Sequence, residues 1–425
     1  DKYGIDLAGD LKITGMSDAV YGSGPTYPNS NVVLLANETQ TGSITTKTSV
    51  KNSNTLTLGA LIDEGNGLVG IMSYNGAYAE NKSTGLIEIN SKNSIGVASM
   101  GASGSIISSE ANNEGVINVK GTNSVGIYNE GKFNSSNGEI NSKGTNTIGV
   151  YSKDVNSTTN ILGGKVTASN GGVGMYSNTG STINLGDSGG ALSALSLESG
   201  DGGLFFYTKT GSGKYNLTED VDLKVKDGGT AFYASDLNTF SSTPLSTFFG
   251  NYFIGSGNLN IDMENKNSTL FYVEGSSTPI YLSSLAIPSV SSLPSNINII
   301  GASDYRIYKA GHIELHIDRN LDLDNTSDLY NRSEFLSSKI YIDNGNKVIS
   351  TANNRAGIAQ KNSLGGTQSD ILVENSGTVK MSGTGTAALV TEYGVLTNNN
   401  DIEMTGSKSA GIIGADESLV INNGR

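Results

Sequence analysis

Short runs of alternating apolar and polar residues recur along this chain, separated by clusters of Gly, Asn, Ser and Thr. Four of them align: "GLIEINSKNSIGVASM" from Gly85, "GVINVKGTNSVGIYNE" from Gly115, "GEINSKGTNTIGVYSK" from Gly138 and "GKVTASNGGVGMYSN" from Gly164. Each reads Gly-x-[Ile/Val], a polar turn, then a second glycine between two apolar residues. That second glycine falls at 70, 96, 126, 149 and 174, so the spacings are 26, 30, 23 and 25 residues. Later copies recur in "NNRAGIAQKN", "VKMSGTGTAALVTEYG" and "IEMTGSKSAGIIGADE". A period of this length is too short for a globular domain and suits one coil of about three short strands at ~3.3 Å per residue. Apolar residues at spacing two, with many poor helix formers, exclude a helical repeat. The expected fold is all-β, a right-handed parallel β-helix (β-solenoid) with irregular loop insertions in the middle.

Each repeat position has a physical role in such a coil. Ile87/Ile89, Ile117/Val119 and Val379/Met381 point inward while their neighbours face water. Asn93, Asn123 and Asn146 precede the second glycine by three residues and, once stacked, bring their amides within reach of turn carbonyls and of one another. The glycine itself passes where a side chain would collide with the coil above.

The pattern loosens between 200 and 345, so the chain divides into coils over 1–200, an irregular section over 201–345 and further coils over 346–425. Eight of the ten Phe lie between Phe205 and Phe271, and four of the six Pro between Pro244 and Pro294. Two readings stand: an insertion that displays aromatics to a partner, or a wider coil section whose aromatics fill the core. Under the first, Phe248, Phe249, Tyr252, Phe253 and Tyr281 are the candidate partner contacts.

Composition narrows the chemistry. The formal charge of −13 argues against nucleic-acid binding, and the absence of Cys excludes disulfide staples and thiolate metal sites. No run is long enough to be a membrane-spanning helix, and the first residues lack the features of a signal peptide, so any leader is expected to be gone. "GDSGG" around Ser188 matches the nucleophile environment of chymotrypsin-like proteases, yet both histidines, His312 and His316, follow it, against the order of that triad. The stretch reads as a β-corner. "GHIELHID" puts His312, Glu314, His316 and Asp318 on one face of a strand, a spacing open to zinc but equally that of a half-buried strand. "NLDLDNTSD" from Asn320 hints at calcium but lacks the Gly and terminal Glu of a loop site. No catalytic, cofactor or metal residue is assigned, and no cofactor is expected.

With the repeats in hand, "GTNSVGIYNEG", "KGTNTIGVYS", "GGVGMYSNTG", "GGTAFYASD" and "STLFYVEG" resemble the passenger region of large fusobacterial-type type V autotransporter outer-membrane adhesins. The likeness covers roughly 60–275 and 345–425. It implies a non-enzymatic protein exported through the outer membrane and displayed on the bacterial cell surface. There it would bind a host-cell receptor or glycan, or the surface of a partner bacterium, in attachment, virulence and coaggregation. Membrane attachment would come only through a C-terminal β-barrel that this sequence does not contain, and Arg425 reads as a cut within a longer passenger. The alternative class is a β-helix enzyme acting on polysaccharide, which needs a carboxylate pair facing a groove lined with aromatics.

Overall fold

The computed structural model describes residues 4–13, 31–38, 47–101, 108–153, 155–187, 189, 194–209, 211–238, 240, 245–276, 278–285 and 293–425. Every strand pairing among them is parallel, as a coil that advances one strand spacing per turn requires. The chain forms two compact units. One comprises 1–233, 249–268 and 293–302, and the other 234–248, 269–292 and 303–425.

In the first unit, a nine-stranded sheet runs from Gly4–Leu7 to Phe253–Gly255 and a ten-stranded sheet from Leu11–Ile13 to Ile297–Gly301. A third sheet contributes Val32–Asn37 through Thr230–Ala234. The aligned copies stack in register: Leu86 faces Val116, which faces Glu139, which faces Lys165. Ile87, Ile89, Ile117 and Val119 are wholly buried, as the alternation predicts. A Cβ at Gly70, Gly96, Gly126 or Gly149 would lie 2.7 to 2.8 Å from the carbonyl oxygen of the next glycine in the row, so the close approach is real. Asn93, Asn123 and Asn146 sit at φ of 51°, 57° and 55°, the left-handed region that asparagine tolerates best among residues with a side chain. Asn146 donates to the Asn123 Oδ1 at 3.2 Å and Asn93 to Asn66 at 2.9 Å.

A second, buried amide ladder went unforeseen. Asn52 donates to Asn81 and Asn81 to Asn113, both at 2.8 Å, with all three side chains fully enclosed. In the second unit Asn375, Asn398 and Asn422 repeat the device at 2.7 and 2.8 Å. Asn81 and Asn398 each both donate and accept, which keeps a polar side chain satisfied in a core, while the Asn375 Oδ1 at the start of the second ladder is buried without a partner.

The middle section answers the question of the phenylalanines. The inward row Ile127, Val150, Met175 continues as Phe206 and Phe232, so larger rings occupy the same register position. In the first unit Phe206 packs on Phe205, Tyr215, Phe232 and Phe253 at centroid distances of 4.8, 4.7, 5.8 and 5.1 Å, and Phe249 on Phe232 at 5.2 Å. In the second, Phe240 packs on Phe248, Phe271 and Tyr308 at 5.2, 4.6 and 5.3 Å. The segment read as loop contains an eight-residue helix, Leu245–Tyr252, which carries Phe248 and Phe249 inward.

The second unit carries a six-stranded sheet from Ile280–Tyr281 to Leu419–Asn422 and a four-stranded sheet from Leu321–Asp322 to Ile402–Met404. Its third side is interrupted. Thr269–Glu274, Arg306–Gly311 and Ser333–Leu336 are in one sheet, while Ala356–Lys361 opens another with Ala387–Glu392 and Ala410–Ala415. A cleft of about 460 Å³ lies at this interruption.

Candidate binding face

The outward side of the third sheet in the first unit carries a single file of tyrosines. Tyr128, Tyr151, Tyr176, Tyr207 and Tyr233 occupy one register position on successive coils. Their centroids are 5.5, 5.1, 4.7 and 4.5 Å apart, ending in a stacked pair with 11° between planes. All five are half-buried, and so are Val125, Ile148, Val173 and Leu204, an aliphatic file on the same strands. One coil earlier, Ala98 stands where the tyrosines begin.

Polar partners fix the file's other flank. The Tyr128 hydroxyl donates to the Glu130 Oε1 at 2.8 Å, and the Lys153 Nζ donates to the same oxygen at 2.6 Å while lying 5.6 Å from the Tyr128 ring centroid. Tyr176 donates to the Asn178 Oδ1 at 3.3 Å. Burial, reinforced by Glu130 and opposed by Lys153, pushes the Tyr128 phenol up to about 12. Burial likewise raises Tyr151 and Tyr176, so these phenols stay neutral near neutral pH. The arrangement offers ring edges, hydroxyls and methyl groups repeating once per coil, the residue chemistry that dominates interface anchors.

The sequence carried a signal for this file: Tyr follows the row glycine by two in Gly126–Tyr128, Gly149–Tyr151 and Gly174–Tyr176. The contacts expected from the middle section fare differently. Phe248, Phe249, Tyr252 and Phe253 are 2%, 0%, 9% and 4% exposed, so they belong to the core and are withdrawn as displayed contacts. Their rings fill the interior of the coils, where burial of so much apolar surface outweighs display. Tyr281, at 46%, is exposed.

The remaining motifs find structural partners. Ser188 lies outside the described residues. Beside it, Gly186 adopts φ of 91° and Gly189 donates to its neighbour Asp187 at 3.0 Å, turn geometry between Thr182–Leu185 and Ser196–Ser199. Glu314, His316 and Asp318 alternate outward against buried Ile313, Leu315 and Ile317, while His312 precedes the strand at φ of 53°. No group of three or more metal-ligating side chains gathers among the described residues. Asp324 accepts from Ser350 Oγ at 2.6 Å, Thr351 N at 2.6 Å, Thr351 Oγ1 at 2.8 Å and Arg355 at 3.1 Å, donors that hold its carboxyl far below the usual range. Asp328 is bound through both oxygens by Arg319 at 2.8 and 2.9 Å. These carboxylates fasten neighbouring loops.

Two grooves contain carboxylates. One of about 490 Å³ in the first unit is lined by Glu139, Glu198 and Glu264 among amides and lysines; Glu198 pairs with Lys226 at 2.7 Å and Lys165 at 3.4 Å, and no aromatic lines it. The cleft in the second unit holds Glu334 and Glu392 with Tyr330 and Phe335, and Glu334 meets Arg306 at 3.2 Å. No family model, curated protein or solved structure matches the chain.

Proposed function

We propose that this chain is a binding segment of a surface-displayed bacterial autotransporter adhesin passenger, which attaches to host cells or other bacteria through a protein or glycan receptor. The observation that carries this reading is the tyrosine file. It places five aromatic side chains and an adjoining aliphatic file on one outward face, in register over five coils. A purely mechanical coil needs a filled interior, and the inward rows supply that without these rings. Tyrosine pairs a large rigid apolar area with a hydroxyl at low entropic cost, which suits it to a partner of either class.

The test replaces Tyr151, Tyr176 and Tyr207 with Ser together and measures binding of the labelled chain to cultured host cells and to other bacteria. Binding should fall roughly tenfold or more, equivalent to ~1.4 kcal/mol, with the β circular-dichroism signal retained. Undiminished binding would remove the face from the account.

One observation favours a second reading, a polysaccharide-acting enzyme: Glu334 and Glu392 share a cleft with two aromatic side chains. Paired carboxylates are what glycoside hydrolysis uses. Release of new reducing ends from a polysaccharide panel, abolished by Glu392→Gln, would establish it; the adhesin reading expects none.

A further inference from the structure

The six-stranded sheet of the second unit displays an aromatic stack of another kind. His316 lies between Tyr281 of one coil and Tyr341 of the next, at centroid distances of 5.0 and 4.7 Å and interplanar angles of 30° and 9°. Both ring nitrogens meet carboxylates: Nδ1 is 2.8 Å from Asp343 and Nε2 is 3.3 Å from Glu314. A neutral imidazole has one N–H and one lone pair, so one carboxylate would then face a lone pair. Only the imidazolium donates to both, and the same charge attracts the two flanking ring faces.

The stack also anchors a short segment. Ile280–Tyr281 is a two-residue strand paired only with Leu315 and His316, and a single turn of 3-10 helix, Leu282–Ser284, follows it. Ser283 adds a backbone N–H to Asp318 at 2.9 Å and a hydroxyl bond to the same carboxylate. Ile280 and Leu282 are buried at 1% exposure each, and the ring contact is what holds the exposed Tyr281 against the sheet.

We infer that His316 is a proton-controlled clasp, which holds the Ile280–Ser284 segment and its exposed Tyr281 in place when charged and loosens it when neutral. The charged and titratable groups facing it are Glu314 and Asp318 on its own strand and its end, Tyr281 from the preceding coil, and Lys339, Tyr341 and Asp343 from the following one. Glu374 stands beyond Tyr341 in the same row. Partial burial alone would lower the imidazole's pKa, but the hydrogen bonds it donates to Asp343 and Glu314 outweigh it and the net direction is upward. The sign follows: a raised folded pKa gives stabilisation that is complete below the unfolded value of ~6.5 and is lost as pH rises through the folded value. The clasp therefore closes in acid and opens in alkali.

The experiment is NMR titration of the His316 side chain in the intact chain, with amide exchange of residues 280–284 corrected for the intrinsic pH dependence of exchange. His316 should titrate above the free-imidazole value of ~6.5, and protection of the segment should fall several-fold between about pH 6 and about pH 8.5. His316→Phe keeps a ring for stacking but carries no proton, so protection in that variant should be independent of pH. Asp343→Asn should lower the His316 midpoint. A His316 midpoint at or below ~6.5, or wild-type protection that does not change across that range, would overturn the proposal.

Discussion

The third sheet of the first unit runs unbroken, while its counterpart in the second unit is interrupted, and one register row separates the two. In the first unit the row reads Ser73, Ser99, Asn129, Ser152, Ser177, small polar side chains that allow the coils to close on one another. In the second, Ala310 is followed by Phe335, and Gln360 faces it from the next coil. There the ladder stops. Gln360 stands in for a strand, donating to the Phe335 carbonyl at 2.9 Å and accepting from the Ser338 N–H at 3.0 Å. Beyond it the same row continues as Gln360 against Thr391, and pairing resumes. The break therefore falls where this row brings two large side chains, Phe335 and Gln360, against each other.

The largest expected effect comes from the filled interior. Phe206→Ala should destabilise the first unit by about 3–5 kcal/mol in denaturant unfolding, because four rings lose a common neighbour. A loss below ~1 kcal/mol would mean the wide coils are loosely packed. Next is the row of glycines: Gly126→Val puts a Cβ 2.7 Å from the Gly149 carbonyl oxygen and 3.1 Å from a Val119 methyl. Overpacking of about 1–3 kcal/mol should follow, and protection of the adjoining strand amides should drop. Asn81→Ala removes a buried amide that both accepts from Asn52 and donates to Asn113. About 1–3 kcal/mol is expected for each group left without a partner, and Asn81→Ser should recover little because the hydroxyl is too short to bridge two coils. The last effect is the most diagnostic. Replacing Phe335 and Gln360 together with Ser removes a buried ring and a buried amide, which should cost up to about 3–5 kcal/mol, yet draw Ser333–Leu336 and Ala356–Lys361 into a common ladder. Hydrogen exchange would show new protection on both strands; an unchanged pattern would mean that other residues hold the cleft open.

Much of this architecture is legible in the sequence because its determinants are local and repeated. Ile87, Ile117 and the row glycines each declare their environment through a fixed offset, and the structure places them as expected. The buried Asn52–Asn81–Asn113 ladder was not legible, since asparagine is so common in the turns that its inward copies have no compositional mark. The burial of Phe248 and Phe249 depends on an eight-residue helix within a Ser-, Thr- and Pro-rich stretch, and on how wide the coils are there. Width follows from the sum of inward volumes across three strands, which no single repeat records. The tyrosine file shows in three of the four aligned repeats, as Tyr128, Tyr151 and Tyr176. Period alone does not tell an outward ring from an inward one at the end of a strand.

The account's central claim is that partners are met on the tyrosine face, and tyrosine-directed oxidative footprinting of the chain bound to its target cells tests it most directly. Tyr128, Tyr151, Tyr176, Tyr207 and Tyr233 should lose reactivity together on binding, while Tyr281 and Tyr341 keep theirs. Unchanged reactivity along the file, with protection appearing on any other described surface, would contradict it.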